Sequence, residues 1–160
     1  LAGFKGAAKR LQRVAETMNG SFFIDFAHAP SKLKATAEAV KSQYPGRQLV
    51  ACIELHTFSS LNKDFLPQYA NSMDSADIAV VYFNNRVLQH KKLEALNSEI
   101  IANAFGREVL VFTDSALLQN YLMQIDWLNK NLLMMSSGNF DGINFDVFAR
   151  NLGFNTNKVN

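Results

Sequence analysis

Apolar residues along this chain fall into two alternating patterns. Short continuous apolar runs are separated by stretches in which apolar residues recur at helical spacing, as Leu33, Ala37 and Val40 do in "SKLKATAEAVKSQY". Strands that helices cover on both faces read as continuous apolar runs. The continuous runs are "SFFIDF", "QLVACIEL", "DIAVVYF", "EVLVF" and "NLLMM". Alternation of this kind predicts a mostly parallel sheet between two layers of helices.

A turn signal near the start of the chain extends this picture. Asn19-Gly20 lies between two strand-like segments and supports the positive φ angles of a tight hairpin turn. The hairpin adds one antiparallel edge strand. The predicted fold class is therefore α/β, a Rossmann-like three-layer sandwich with a mostly parallel six-stranded sheet. We expect a single domain over residues 1–154 and a frayed tail over residues 155–160.

Local signals also mark the ends of the predicted helices. Pro30 suits the first turn of a helix, where its missing N–H costs nothing. Gly106 closes a later helix, and Asp114 or Ser115 caps the one that follows it.

Composition narrows the classes of protein to which the chain can belong. Of its 160 residues, 48% are hydrophobic and 19% are charged, which is typical of a globular domain. The net charge of +2 argues against nucleic acid as the main partner, and no apolar run approaches the roughly 20 residues of a membrane span. Cys52 is alone and cannot form an internal disulfide, so we expect a reducing, cytoplasmic setting. The chain does not begin with Met, and we expect it to be a piece of a longer protein.

Polar residues follow three of the predicted strands, in the segments "DFAHAP", "ELHTFSS" and "SSGNFDG". In an open parallel sheet, ligands bind beyond the carboxyl ends of the strands. We therefore expect these segments to form the rim of a binding site. Each also has a structural alternative. Asp25 is then a helix cap, His28 a surface histidine, Ser59 or Ser60 a helix cap, and the glycines of the last segment are turn residues.

Several catalytic and binding motifs are missing from the sequence. It has no GxxxxGK[ST] phosphate loop, no GxGxxG fingerprint, no CxxC or HExxH metal motif and no GxSxG elbow. The residues alone therefore predict a Rossmann-like domain with a polar rim, no self-contained triphosphate site and no metal site.

The order of three motifs adds a family resemblance. "FKGAAKRLQRVAETMNGSFFIDFAHAP", "IELHTFSS" and "MMSSGNFDGI" together resemble the C-terminal domain of the Mur ligase family, and the last motif is most similar to the branch that attaches a recycled tripeptide to UDP-N-acetylmuramate. The resemblance implies that residues 1–154 are the third domain of an ATP-dependent ligase. The UDP-sugar domain and the central phosphate-loop domain would then lie outside this chain, and ATP and Mg²⁺ would be held mainly by the central domain.

The resemblance also implies roles for individual residues. On the nucleotide side it implies Arg10, Asp25 and His28. On the substrate side it implies His56, Ser60, Ser136, Ser137 and Asn139. It implies no catalytic residue and no metal ligand within this domain alone, so we expect the isolated chain to be inactive.

Departures from the family pattern bear on the substrate. Thr57 and Ser60 stand where the alanine-adding branch has arginines, and Leu55-His56 replaces the Pro-Arg of the tripeptide-adding branch. The last loop favours the tripeptide branch. The implied function is an ATP-dependent ligase that joins a peptide or amino acid to UDP-N-acetylmuramate in peptidoglycan synthesis or recycling. The alternatives are a folylpolyglutamate synthase and a non-catalytic Rossmann-like binding module.

Overall fold

A computed structural model describes residues 11–156 and shows a seven-stranded sheet in the order β5-β4-β3-β6-β2-β1-β7. The five strands from β5 to β2 in this order are parallel, and β1 runs antiparallel to both of its neighbours, β2 and β7. The strands are β1 (Gln12–Thr17), β2 (Gly20–Asp25), β3 (Gln48–Glu54), β4 (Ile78–Tyr82), β5 (Leu110–Phe112), β6 (Lys130–Met135) and β7 (Asn155–Thr156). The predicted α/β class with a mostly parallel sheet is confirmed.

A helix follows each of the five parallel strands. They are α1 (Pro30–Gln43), α2 (Phe58–Leu61), α3 (Asn85–His90), α4 (Ser98–Phe105), α5 (Ser115–Met123) and α6 (Phe145–Leu152), with a 3-10 helix at Leu66–Tyr69. Pro30 opens α1, the side chain of Asp114 caps α5, and Gly106 ends α4 in the left-handed conformation, as the local signals predict. None of the helices between residues 11 and 156 is long and apolar enough to cross a bilayer.

Two hydrophobic clusters cover the two faces of the sheet. Successive residues of β3 alternate between them, so Ala51 and Ile53 belong to one cluster while Val50 and Cys52 belong to the other. Helices α1 and α4 pack against the first face, and α5 and α6 pack against the second. The continuous apolar runs of the sequence are explained by this double coverage.

The hairpin forms as predicted, but its glycine is needed for a different reason. Gly20 does not take a positive φ angle. A Cβ atom at this position would instead lie 2.6 Å from the carbonyl oxygen of Lys130, which is closer than a real Cβ can approach. Gly20 therefore allows the hairpin to pass close to the start of β6.

The outer edge of the sheet differs from the prediction. Asn155 and Thr156, which were expected to fray, pair with Glu16 and Ala15 as the two-residue strand β7. The sheet thus has seven strands rather than six, and β1 lies one position inside the edge. Turn signals cannot reveal such a short strand, because its partner is distant in sequence.

Candidate functional site

The carboxyl ends of β2, β6 and β3 bring the three polar segments to one edge of the sheet. Asp25 is aligned with Met135 on the neighbouring strand, and the backbone N–H of Ser136 donates to the carbonyl oxygen of Asp25 at 3.0 Å. On the other side of β6, a Cβ atom at Gly138 would lie 3.4 Å from the imidazole ring of His56. Asp25, His56 and the loop after β6 therefore share one rim. Arg10 lies outside the described residues.

Asp25 lies at the head of a cleft between the end of β2 and helix α1. One carboxylate oxygen, Oδ2, accepts a hydrogen bond from the Thr36 hydroxyl at 2.6 Å. Asp25 does not cap the helix, since the N-cap position belongs to Ala29. The cleft has a volume of about 710 Å³. Its polar lining comprises Asp25, His28, Lys32 and Thr36, and its apolar lining includes Leu11, Phe26, Ala35 and Ala39.

His28 is half-buried at the same cleft, and a hydrogen bond from Tyr69 fixes its backbone. The Tyr69 hydroxyl donates to the His28 carbonyl oxygen at 2.7 Å. Burial raises the pKa of Tyr69 to about 12, although a hydrogen bond with Ser60 acts in the opposite direction, so the phenol keeps its proton. The imidazole Nδ1 lies 3.2 Å from the Phe26 carbonyl oxygen, and its ring meets the Phe26 ring edge to face. The ring therefore stays at the wall of the cleft.

A buried acid, Glu54, closes the end of β3. Its Oε1 atom accepts the Ser136 hydroxyl at 2.5 Å and the Phe140 backbone N–H at 2.8 Å. Its Oε2 atom lies 3.8 Å from Nδ1 of His56, whose side chain is 47% exposed while that of Glu54 is 3% exposed. Glu54 was not among the residues expected from the sequence. The signal was present, since Glu54, like Asp25, is an acid that ends an apolar strand.

Two of the expected substrate-binding serines have buried hydroxyl groups that bind within the domain. Ser60 forms a capping box with Thr57 at the start of α2, and its hydroxyl also donates to the Thr57 carbonyl oxygen at 3.0 Å. Ser60 therefore has a structural role, but the cap is Thr57 rather than Ser59 or Ser60, and Ser60 is the reciprocal partner of that cap. Ser136 donates to Glu54 and accepts the Gly138 N–H at 2.7 Å. Its hydroxyl shapes the loop rather than facing a ligand.

The other two expected residues of the last loop are placed differently. The hydroxyl oxygen of Ser137 is buried and has no hydrogen-bond partner among the described residues. Asn139 is exposed, and its side-chain oxygen accepts the Gly142 N–H at 2.9 Å. An orphaned buried hydroxyl in a loop at the rim has an unused capacity for a hydrogen bond.

The loop after β6 carries backbone strain that its neighbours hold in place. Phe140 and Asp141 adopt φ angles of 57° and 60°, where side chains are disfavoured by about 1–2 kcal/mol per residue. The Ser115 hydroxyl donates to the Phe140 carbonyl oxygen at 2.8 Å, and the Tyr82 hydroxyl donates to the Asp141 carboxylate. Burial raises the pKa of Tyr82, and the hydrogen bond and charge of Asp141 raise it further, so the phenol remains a donor.

A metal centre requires several ligating side chains in one place. Between residues 11 and 156, no three His, Cys, Asp or Glu side chains are grouped in a way that would hold a metal ion.

Comparison with known proteins adds a family to this geometry. A family model described as "Mur ligase, glutamate ligase domain" matches residues 9–138. The UDP-N-acetylmuramate–L-alanine ligase of Ruthia magnifica is 32% identical over 111 residues, which cover 67% of this chain and 23% of that protein. The enzyme of the same name from Lactococcus lactis is 33% identical over 100 residues, covering 59% of this chain and 22% of that protein. The chain thus matches less than a quarter of the length of these curated relatives.

Solved structures share the fold. A murein peptide ligase from Psychrobacter arcticus superposes with a TM-score of 0.71 at 22% identity, covering 96% of this chain and 31% of that one. A UDP-N-acetylmuramate–alanine ligase from Thermotoga maritima gives a TM-score of 0.63 at 15% identity, covering 91% and 29%. In both cases the match is to one part of a longer chain.

Proposed function

The chain belongs to the Mur ligase family, and from that premise we propose that it is the third domain of an ATP-dependent ligase acting on UDP-N-acetylmuramate. The full enzyme would join the carboxylate of the sugar nucleotide to the amine of a peptide or amino acid. The observation that carries this proposal is the shared rim, where the Asp25 cleft and the loop after β6 meet at adjacent strand ends. We place the reaction in the cytoplasm, in keeping with the buried unpaired thiol of Cys52.

The Asp25 cleft suits a nucleoside. Its volume of about 710 Å³ falls within the usual range for small-molecule sites. Asp25 uses Oδ2 for Thr36, so Oδ1 remains to accept a ribose hydroxyl, and Phe26 and Ala35 offer an apolar wall for a base. Lys32 and His28 line the same cleft, where they can approach anionic phosphate oxygens. When bound, ATP supplies the phosphoryl group that activates the sugar carboxylate. We assign Mg²⁺ and most phosphate contacts to the central domain.

The loop after β6 and His56 form the side proposed for the acceptor substrate. The exposed side chain of Asn139 is a polar group that an amine-bearing substrate can reach, and beside it the buried hydroxyl of Ser137 has no partner among the described residues. Thr57 and Ser60 are taken up by the capping box and Glu54 is buried, which leaves His56 as the exposed ionisable group of the second polar segment. We therefore favour a peptide acceptor over a free amino acid. L-Alanine is the second candidate, because the matched curated relatives are L-alanine ligases.

Ligation assays with the full-length enzyme test this proposal. The enzyme is supplied with ATP, Mg²⁺ and UDP-N-acetylmuramate, and then with either L-alanyl-γ-D-glutamyl-diaminopimelate or L-alanine. We expect an amide product with the tripeptide and little with L-alanine. We also expect the 160-residue chain alone to turn over no ATP under the same conditions. ATP turnover by that chain, or failure of the full enzyme to ligate either acceptor, would contradict the proposal.

Asp25→Asn in the full-length enzyme tests the nucleotide side. The substitution keeps an acceptor for Thr36 but removes the charge that we assign to the ribose hydroxyls. We expect the KM for ATP to rise about tenfold, which corresponds to about 1.4 kcal/mol, with the KM for the acceptor nearly unchanged. Asp126→Asn is the matched control, since Asp126 is exposed and lies before β6 at the opposite edge of the sheet. An unchanged KM for ATP in Asp25→Asn would contradict the assignment of this cleft to the nucleotide.

A further inference from the structure

Glu54 connects the two segments proposed to bind the acceptor. Through Oε1 it holds Ser136 and Phe140, and through Oε2 it faces His56. We propose that Glu54 is a positioning residue that fixes the Ser136–Phe140 loop and His56 relative to one another, so that both meet the incoming amine substrate. This inference rests on the proposed function and names how its acceptor side is organised.

The charge of Glu54 is the first part of the argument. Burial of an ionised carboxylate costs several kcal/mol unless hydrogen bonds and charges compensate for it. A neutral amide oxygen could also accept both hydrogen bonds at Oε1, though without the strength that a charged acceptor gives them. The second carboxylate oxygen, Oε2, lies 3.8 Å from Nδ1 of the half-exposed His56 imidazole. An acid at this position therefore places an acceptor oxygen opposite His56, where an amide would place an N–H₂ donor.

The strain of the loop is the second part. Phe140 holds a positive φ angle without being glycine, and its backbone is held on both sides, by Glu54 at the N–H and by Ser115 at the carbonyl oxygen. Residues in such conformations persist only where the surroundings over-determine them. Loss of Glu54 leaves the Phe140 N–H and the Ser136 hydroxyl without their partner. The loop then lacks two of the hydrogen bonds that hold its backbone conformation.

The close approach at Gly138 is the third part. A Cβ atom there would lie 3.3 Å from Oε1 of Glu54 and 3.4 Å from Nε2 of His56. Gly138 thus lets the loop lie directly over both side chains. The acid, the imidazole and the loop backbone form one packed unit at the rim.

Steady-state kinetics of Glu54→Ala, Glu54→Gln and the control Glu108→Gln in the full-length ligase test the proposal. Glu108 is exposed and precedes β5 at the opposite edge of the sheet. We expect Glu54→Ala to raise the KM for the acceptor by about tenfold or more, with the KM for ATP within about twofold. Glu54→Gln keeps both hydrogen bonds at Oε1, so its acceptor KM should rise only about threefold. Glu108→Gln should match the wild type.

Amide exchange in the 160-residue chain gives a second readout that does not depend on ligation. We expect the Phe140 N–H to exchange about tenfold faster or more in Glu54→Ala and at the wild-type rate in Glu54→Gln. A wild-type enzyme that fails to ligate would refute the proposed function but would leave this measurement intact. If Glu54→Ala does not fold, Ser136→Ala replaces it, with an expected rise of about threefold in the acceptor KM. An unchanged acceptor KM, an equal rise in the KM of every substrate, or unchanged Phe140 exchange in Glu54→Ala would overturn the proposal.

Discussion

Two regions of the same sheet edge differ in how their polar side chains are used. At the β2–α1 cleft, His28 and Asp25 are half-buried and make few side-chain hydrogen bonds among the described residues. At the loop after β6, Glu54 and Ser136 are buried, and their hydrogen bonds lie within the domain. In the first region the side chains line a cleft. In the second region most of the polar side chains form hydrogen bonds that stabilise the loop itself. Position at the rim is thus not equivalent to availability for a ligand.

The lengths of the two connections explain the difference. Residues 26–29 join β2 directly to α1, and among their backbone groups the His28 carbonyl oxygen accepts a hydrogen bond from the Tyr69 hydroxyl. Residues 136–144 join β6 to α6 over a longer path that crosses the end of the sheet. Buried backbone groups in such a path require hydrogen-bond partners. Glu54 from β3 and Ser115 from α5 supply such partners, and Tyr82 from β4 donates to the Asp141 side chain, so these three side chains have structural roles.

The largest expected effect is a difference in unfolding free energy between a variant in the loop after β6 and a variant in the cleft. Phe140 is fully buried, and its ring packs 6.0 Å from that of Tyr82. We expect Phe140→Ala to lower the free energy of unfolding by about 3–5 kcal/mol in urea denaturation of the 160-residue chain. Phe26→Ala is the matched control in the cleft, because Phe26 is 39% exposed, and should cost about 1 kcal/mol or less. Equal losses for the two variants would erase the distinction between the regions.

A second pair of variants compares the stability effects of two neighbouring serines in the loop after β6. Ser136→Ala removes the donor to Glu54 and the acceptor for Gly138, so we expect a loss of about 1–3 kcal/mol in unfolding free energy. Ser137→Ala removes a buried hydroxyl that has no partner in the structure, so it should leave stability unchanged or raise it slightly. In the full-length ligase, Ser137→Ala should still raise the acceptor KM. A stability loss in Ser137→Ala as large as that in Ser136→Ala would show that the hydroxyl is not orphaned.

Asp77 lies just before β4, at the end of the sheet opposite the site, and its effect on stability is expected to depend on pH. Burial by itself would raise the pKa of Asp77, but hydrogen bonds from the Leu49 N–H and from Lys41, together with the charge of Lys41, outweigh it and hold that pKa below its ordinary value. A carboxylate with a lowered folded-state pKa stabilises the fold above its unfolded-state pKa of about 4, and this contribution is lost as pH falls below that value.

Asp77→Asn should therefore reduce stability near neutral pH by about 1 kcal/mol or less, because the Lys41 pair is partly exposed. The difference from wild type should shrink as pH falls below about 4. Urea denaturation at several pH values measures both variants. A difference that does not change with pH would argue that the charge of Asp77 contributes nothing.

At His28 we expect only a small effect on folding. Its side chain is half-buried at the cleft wall, and the anchor to Tyr69 uses the backbone carbonyl, which His28→Ala retains. We expect a change of about 0.5 kcal/mol or less in unfolding free energy, with a fall in turnover of about tenfold in the full-length ligase. A lower melting temperature with unchanged ligation would instead assign His28 to packing.

Local sequence patterns determined the parallel strands, the hairpin, the starts of α1 and α5, and the edge at which the polar segments end. These features depend on side-chain period and turn chemistry within a few residues, which the sequence displays directly. The pairing of β7 with β1 and the role of Glu54 were decided only by the tertiary structure. Asn155 pairs with Glu16 at the far end of the chain, and Glu54 meets Ser136 and Phe140 across separations of 82 and 86 residues.

The same distinction holds among the serines. The sequence marked Ser60, Ser136 and Ser137 alike as polar residues following strands. In the fold, Ser60 belongs to a capping box and Ser136 donates to Glu54, while the Ser137 hydroxyl has no partner between residues 11 and 156. A hydroxyl is free for a ligand only if no buried donor or acceptor reaches it, and that depends on which distant segments fold against it.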